Sequence, residues 1–287
     1  MAPYLAERRD LYRIVDLTDV ISSELARSMA YRGAASRLVY EVERPRIARY
    51  EREVAQQFEE VWLVSQHDQH LLTVQCPDAN IRVVPNGVEL TTFHPTGQPA
   101  EPNSLLFTGH MRVFHNIDAA TFLAREILPL VRRQVPGCTL TLAGADPGPE
   151  VQALAAQPGI TVTGFVPDLN ETLNRAAVFV APLRFAAGVQ NKVLEAMAMG
   201  RPVVCASACI EAIAARPGEH LLAADAAEAY VSQLEPLLAA PALAAALGAA
   251  GRRHVVDHFS WPARLARLDT MLTAAIASNQ TLEPYPA

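Results

Sequence analysis

The stretch SLLFTGHMRVFHNIDAATFLAREILPLVRRQVPGCTLTLAG, residues 104–144, holds two short apolar segments with a segment of helical periodicity between them. A strand, a helix and a second strand in this order form a parallel unit when the helix crosses over the sheet. The same alternation continues as far as residue 207 and predicts an α/β fold with a doubly wound, Rossmann-like parallel sheet. Its predicted strands are 104–109, 138–144, 160–165, 178–183 and 202–207, and its predicted helices are 116–134, 149–157, 169–176 and 191–200.

A second, smaller set of elements precedes this region. The sequence predicts strands at Arg13–Val20, Val61–Ser65 and Ile81–Val88, and a helix at Glu41–Phe58. The following segment, TTFHPTGQPAEPN, contains three prolines and has no periodicity, so it predicts a linker. We therefore expect an N-terminal domain, a linker, a C-terminal domain, a terminal helix and a tail, at 1–87, 88–103, 104–256, 257–275 and 276–287 respectively.

The terminal helix is predicted from one apolar face in the stretch FSWPARLARLDTML. The residues of this face recur at helical spacing and are Phe259, Trp261, Leu265, Leu268 and Leu272. Such a face could lie on a membrane surface or pack against protein. We favour packing against the N-terminal domain, and peripheral membrane association stays open.

Composition excludes several classes of protein. The chain has 287 residues, of which 51% are hydrophobic, so it can bury one large core or two ordinary ones. A net charge of -6 argues against a protein that binds nucleic acid through its whole surface. The four cysteines lack CxxC spacing and are interpreted as small buried residues in a reducing cytoplasm. The sequence shows no signal peptide or spanning segment, so we expect a cytoplasmic location or one at the inner face of the cell membrane.

One residue stands out among the 24 basic residues, because Lys192 is the only lysine. It falls in the first turn of a predicted helix, where the helix dipole disfavours a cation. The N–H groups of that turn favour an anion, and Gly188 would let a ligand approach the backbone. A slim ammonium could neutralise a bound diphosphate there, while Glu195 on the same helix face accepts sugar hydroxyls. The alternative is an ordinary Lys192–Glu195 pair on the helix surface.

Other polar residues carry weaker signals. The pairs His67/His70 and His254/His258 have helical spacing, but neither has a third metal ligand in the sequence, so surface or capping roles are favoured. Ser65 follows a predicted strand without the Gly-x-Ser-x-Gly pattern of a nucleophile.

The motifs GVQNKVLEAMAMGRPVV, VVPNGVELTTFHP, LLFTGHMRVFHNIDAATFL and VTGFVPDLNETLNRAAVFVAPL resemble a GT-B glycosyltransferase similar to glycosyltransferase family 4. Within that family the sequence resembles sugar transferases of bacterial exosortase and exopolysaccharide systems. The resemblance runs from about Asp16 to about Leu272. It implies a GT-B architecture with a complete C-terminal Rossmann-like domain and a partial N-terminal one.

The resemblance also implies an activity, namely retaining transfer of a sugar from a nucleotide diphosphate donor to a saccharide or lipid-linked acceptor. Arg112 and Lys192 would serve the departing diphosphate, Glu195 would hold the ribose, and Phe165 and Val166 would contact the base. The remaining donor-site residues would be Gly109, Gly188, Val189, Gln190 and Asn191. Uridine and guanosine diphosphates both fit this pattern. No cofactor and no metal is expected.

The sequence departs from the family pattern in three places. The family often has a first glutamate where this chain has Ala187, and the loop after the first C-terminal strand offers Arg112, with His110 and His115 nearby, in place of an arginine and a lysine. Third, the N-terminal domain is shorter than usual, which suggests a truncated reading frame. Two alternatives therefore stay open: a non-catalytic nucleotide-binding remnant and a GT-B nucleotide-sugar epimerase.

Overall fold

The computed structural model of the chain describes residues 2–5, 7, 8, 10–185 and 189–279. The chain divides into two structural units. The N-terminal unit comprises Met1–Gly87 together with Ser260–Ala287, and the C-terminal unit comprises Val88–Phe259.

The N-terminal unit is built on a sheet of three parallel strands in the order β1-β2-β3. These strands are β1 (Ile14–Thr18), β2 (Glu60–Leu63) and β3 (Ile81–Val83). Its helices in chain order are α1 (Ala2–Leu5), α2 (Ile21–Ser28), α3 (Ala34–Gln57) and α4 (Gln66–Gln75). Val61, Leu63 and Leu72 form the centre of its small hydrophobic core, which joins the sheet to α4.

The C-terminal unit holds a larger sheet of six parallel strands. They are β4 (Ser104–Thr108), β5 (Thr139–Ala143), β6 (Ile160–Gly164), β7 (Val178–Ala181), β8 (Val203–Cys205) and β9 (Leu222–Ala223). The helices that follow or connect them are α5 (Phe114–Phe122), α6 (Leu128–Gln134), α7 (Pro149–Gln152), α8 (Leu169–Arg175), α9 (Asn191–Ala198), α10 (Ala227–Ala239) and α11 (Pro241–Phe259). All residues of β4 and β7 are buried, as expected for central strands covered on both faces.

The strand order β6-β5-β4-β7-β8-β9 contains one reversal of direction. From β4 the chain adds β5 and then β6 on one side, and it returns to add β7 on the other side of β4. In doubly wound sheets, ligands bind outside the carboxyl ends of the strands at such a switch point. Here the crevice expected from this rule lies beyond β4 and β7, beside the loop 109–113 and the described residues 182–185, 189 and 190. Residues 186–188 lie outside the described part of the chain.

The predicted α/β fold with a doubly wound parallel sheet is confirmed, but several boundaries were wrong. The single helix predicted at 116–134 consists of α5, a π-helical segment at Leu123–Ile127, and α6. The third predicted strand ends at Val83, because Pro85 lacks the N–H group that a ladder needs. The helix predicted from Glu41 begins earlier, at Ala34.

The terminal helix also differs from its prediction. The stretch predicted to start at 257 is split, because α11 ends at Phe259 and α12 runs from Trp261 to Asn279. Pro262 explains the break, since proline is tolerated in the first turn of a helix and disrupts a helix interior. The helix α12 belongs to the N-terminal unit.

Two further properties bear on the sequence analysis. All four cysteines are free and buried, as predicted. Among the described residues, no single helix has the length and apolar character to span a membrane, and α10 with α11 meets that criterion only as a pair bent by 108°.

Candidate functional site

The floor of the candidate site is a close contact between two loops of the C-terminal unit. Gly109, directly after β4, donates its N–H to the carbonyl of Ala143 at 3.0 Å, and Met111 donates to Ala145 at 2.9 Å. Gly144 has a φ of +148°, and a Cβ there would lie 1.8 Å from the carbonyl oxygen of Gly109. Only glycine fits at position 144, so the loops after β4 and β5 meet backbone to backbone.

Lys192 lies in the first turn of α9, as its sequence position predicts. Val193, Leu194 and Met197 are fully buried and anchor the helix against the sheet. The ammonium group of Lys192 donates a hydrogen bond to Oδ1 of Asn116 on α5. The only lysine of the chain therefore connects the helix after β7 to the helix after β4.

An aromatic ring and burial also act on the ammonium of Lys192. Its Nζ lies 5.3 Å from the centroid of the Phe107 ring, in the range of a cation–π contact. Burial lowers the pKa of Lys192 to about 8, against smaller upward contributions from Cys209 and Glu195. The ammonium is therefore still largely protonated at neutral pH, but it is held at a desolvation cost that an incoming anion would reduce.

Glu195 lies one helical turn beyond Lys192 and is partly buried. Burial raises the pKa of Glu195, and Lys192 lowers it by a smaller amount. In the described part of the chain, Lys192 donates to Asn116 and forms no ion pair with Glu195. The alternative of an ordinary surface Lys192–Glu195 pair is therefore wrong.

Asn116 is a residue of the candidate site that the sequence analysis did not identify. It is only 3% exposed, and its Nδ2 donates to the backbone carbonyl of His110 at 3.0 Å. A Cβ at Gly109 would stand 2.8 Å from the Asn116 amide, so the glycine makes room for that side chain. A buried amide that contacts its own preceding loop and a distant helix has no local periodic signature, and this explains why the sequence did not indicate it.

A second polar contact joins α5 to the loop after β7. Arg184, in the loop after β7, pairs with Asp118 on α5, with Nε 2.9 Å from Oδ2. Its guanidinium also lies 4.9 Å from the Phe122 ring centroid. Next to it, the rings of Phe185 and Phe114 stack with centroids 5.4 Å apart. Contacts made by Arg184 and Phe185 therefore hold the start of the loop after β7 against α5.

Arg112 lies in the loop after β4, at the same carboxyl edge as Lys192. Its side chain is exposed and makes no hydrogen bond or ion pair with the described residues. The neighbouring His110 lies 3.4 Å from Asp146, and both side chains are exposed. Arg112 is therefore a cation that a ligand in the crevice could recruit.

The residues predicted to contact the base follow β6. Phe165 is 75% exposed, and Val166 is partly buried. Since β6 lies three strand positions from β7, the ends of these two strands are about 14 Å apart at a strand spacing near 4.8 Å. A nucleoside diphosphate has comparable length, so it could lie along the carboxyl edge from Phe165 to Lys192.

Most of the predicted donor-site residues thus share the carboxyl edge of one sheet. The structure places Gly109, Arg112, Phe165, Val166, Val189, Gln190, Asn191, Lys192 and Glu195 there. Val189 and Gln190 are buried, and Asn191 is exposed. Gly188 and Ala187 lie outside the described residues.

The histidine pairs noted in the sequence, His67/His70 and His254/His258, lie on α4 and α11, outside this site. His254 is buried, its Nε2 lies 2.9 Å from the carbonyl of Ile213, and its ring stacks on His220 with a centroid distance of 4.4 Å. Among the residues that the structure describes, no three His, Cys, Asp or Glu side chains come together as a metal site.

Comparison with known proteins agrees with this geometry. Residues 102–240 match the model of the family described as glycosyl transferases group 1. A GDP-mannose-dependent alpha-(1-6)-phosphatidylinositol monomannoside mannosyltransferase of Mycolicibacterium smegmatis is 31% identical in a 168-residue alignment, which covers 53% of this chain and 44% of that protein. The chain therefore spans less than half the length of this relative.

Solved structures share the fold at low sequence identity. Sucrose-phosphate synthase from Thermosynechococcus elongatus superposes with a TM-score of 0.72 and 20% identity, covering 96% of this chain and 76% of that one. Anabaena HepE in complex with UDP and glucose gives a TM-score of 0.68 and 13% identity, covering 91% and 71%. Residues 102–240 are therefore similar to the glycosyl transferases group 1 family, and the chain has a mixed α/β fold with parallel sheets that matches solved GT-B glycosyltransferases.

Proposed function

We propose that the chain is a glycosyltransferase that moves a sugar from a nucleotide diphosphate donor to a saccharide or lipid-linked acceptor, with retention at the anomeric carbon. The observation that carries the proposal is the position of Lys192. The only lysine of the chain lies at the switch point between β4 and β7, in the first turn of α9. Its ammonium donates a hydrogen bond to the oxygen of a neutral amide.

The cations around the crevice support a diphosphate as the ligand. Lys192 supplies a positive charge that lacks a carboxylate hydrogen-bond partner in the described residues, and the positive end of the α9 dipole adds to it. Arg112 extends from the opposite loop and makes no competing ion pair within the described residues. Charge-assisted hydrogen bonds from two such cations suit a diphosphate better than a neutral sugar.

With the diphosphate at Lys192, the nucleoside part of the donor would extend along the carboxyl edge of the sheet. Glu195 lies one turn into α9, where its carboxylate could accept hydrogen bonds from the ribose hydroxyls. The base would reach the loop after β6, at Phe165 and Val166. The mannosyltransferase relative is named for GDP-mannose, and the HepE structure contains UDP, so both bases are candidates.

Catalysis in this arrangement is mainly electrostatic. As the bond between the anomeric carbon and the diphosphate oxygen breaks, negative charge grows on the diphosphate. The acceptor hydroxyl forms the new glycosidic bond and gives its proton to the departing diphosphate. Lys192, Arg112 and the first-turn N–H groups of α9 would stabilise that charge without reorganising. No cofactor or metal enters this proposal.

The acceptor and location are inferred from the resemblance. We assign the acceptor to the exopolysaccharide or cell-surface class, and the reaction to the cytoplasm or the inner face of the cell membrane. These assignments rest on sequence resemblance alone.

Calorimetry with UDP and GDP tests the donor site, followed by an assay of sugar release from UDP-glucose and GDP-mannose. We expect one diphosphate to bind with a Kd between micromolar and millimolar, about −8 to −4 kcal/mol, and its sugar nucleotide to be turned over. Binding without turnover in the presence of saccharide acceptors would favour the nucleotide-binding remnant. If neither diphosphate gives heat at millimolar concentration, the proposed donor site is wrong.

A further inference from the structure

We infer that Asn116 is a positioning residue that orients the ammonium of Lys192 toward the diphosphate without neutralising it. This inference rests on the proposed donor site, but its structural part can be tested separately. Asn116 and Lys192 are 76 positions apart in the sequence and meet across the switch point of the sheet.

The orientation of the Asn116 amide is fixed by its surroundings. Nδ2 donates to the carbonyl of His110 at 3.0 Å, which leaves Oδ1 facing the ammonium of Lys192. The reversed amide would place an acceptor against a carbonyl and a donor against an ammonium, and both contacts are repulsive. Because the side chain is 3% exposed and lies against Gly109, it has little room to move.

The hydrogen-bond partner of Lys192 must be uncharged if the ammonium is to keep its positive charge for the diphosphate. A carboxylate at this position would form a buried ion pair with Lys192 and cancel the charge that a diphosphate needs. An amide oxygen orients the ammonium through one hydrogen bond and leaves its full charge in place. The Phe107 ring, with its centroid 5.3 Å from Nζ, adds a second weak attraction and also carries no net charge.

The same geometry explains why this position is lysine. One amide oxygen and one ring face suit a compact ammonium, whereas a planar guanidinium is larger and needs acceptors arranged in a fork. The titratable groups that act on the pKa of Lys192 are Cys209 after β8 and Glu195 on α9, and α5 also carries His115 and Asp118. The helix α11, which packs against α9, carries Arg252, Arg253, His254, Asp257 and His258. Asp118 is already paired with Arg184, so it does not replace Asn116 as the partner.

The single lysine makes a direct experiment possible. Protein labelled with [ε-13C]lysine should give one side-chain resonance, whose pH titration reports Lys192 alone. We expect the midpoint to rise in Asn116→Asp, since a carboxylate favours the ammonium, and to fall in Asn116→Leu, since the hydrogen bond is lost. The matched control is Asn174→Asp, because Asn174 is equally buried at 3% but accepts from the N–H of Thr96.

Binding measurements on the same proteins test the consequence for the ligand. Both Asn116 variants should weaken UDP or GDP binding by about tenfold or more, the range of a charge-assisted hydrogen bond, and leave uridine or guanosine binding unchanged. The affinity lost on replacing Lys192 by Arg should be smaller in the Asn116→Ala variant than in the otherwise unmodified protein. The reason is that alanine at position 116 leaves space for the guanidinium. The control Asn174→Asp should bind like the unmodified protein.

The outcomes separate the two proposals. If the lysine midpoint moves in opposite directions in the two Asn116 variants while no diphosphate binds to the unmodified protein, Asn116 orients Lys192 but the donor site is wrong. If diphosphate binds and neither variant changes the midpoint or the affinity, the positioning role is overturned. Asn116→Asp is close to isosteric, so it keeps the test valid if Asn116→Leu does not fold.

Discussion

The carbonyl oxygen of Gly109 lies directly against Gly144, where a Cβ would stand only 1.8 Å away. These two glycines follow neighbouring strands, β4 and β5, and their contact brings the loops after those strands together at the edge of the candidate site. The φ of +148° at Gly144 is also one that L side chains rarely adopt.

Replacing Gly144 should therefore be costly. We expect Gly144→Ala to lower the free energy of unfolding by more than about 3 kcal/mol, because a backbone clash and an unfavourable φ act together. Denaturant titration measures the loss. The matched control is Gly148→Ala, since a Cβ at Gly148 meets nothing within 4 Å, and a similar loss in both variants would show that the close contact is not the cause.

The pairing of Arg184 with Asp118 provides a second prediction. The side chains are 32% and 12% exposed, so the ion pair is partly shielded from water. A double-mutant cycle with Arg184→Met and Asp118→Asn should give a coupling free energy of about 1 kcal/mol at low salt. The exposed pair formed by Arg175 and Glu101 is the control and should couple less strongly. Equal coupling in the two pairs would contradict the shielding argument.

The pKa of Lys192 predicts how stability depends on pH. The folded-state pKa of about 8 lies below the ordinary value of 10.5, so the unfolded chain binds more protons between these two pH values. Because stability rises with pH wherever the unfolded state binds more protons, this group makes the unliganded protein more stable as the pH rises from about 8 to about 10.5.

The comparison with Lys192→Met isolates this contribution, since other groups titrate in the same range. Across this pH window, the free energy of unfolding should rise more in the unmodified protein than in Lys192→Met. Urea titration at each pH measures both values. Parallel curves for the two proteins would mean that Lys192 titrates normally in the folded state.

Local patterns in the sequence predicted much of this fold, because buried strands and amphipathic helices have short periods. The strands β4, β5 and β7 begin or end within two residues of their predicted positions for that reason. The start of α9 could be predicted as well, because Lys192 and Glu195 lie in one continuous helical pattern. These features depend on neighbours in sequence.

The remaining features depend on contacts between distant positions. Asn116 gains its role only when α5 and α9 lie side by side, and Arg184 finds Asp118 only across 66 positions. No local period encodes such contacts, so the sequence could not indicate them.

The affinity of Lys192→Ala for nucleoside diphosphates, compared with nucleosides, tests the central claim most directly. By calorimetry, the variant should bind UDP or GDP more weakly by about 1.5–3 kcal/mol and bind the matching nucleoside unchanged, because only the diphosphate meets the ammonium. Glu195→Gln is the complementary variant and should weaken both ligands equally, because both contain ribose. If Lys192→Ala keeps full affinity for the diphosphate that the unmodified protein binds, the only lysine of this chain does not bind the donor and the account is wrong.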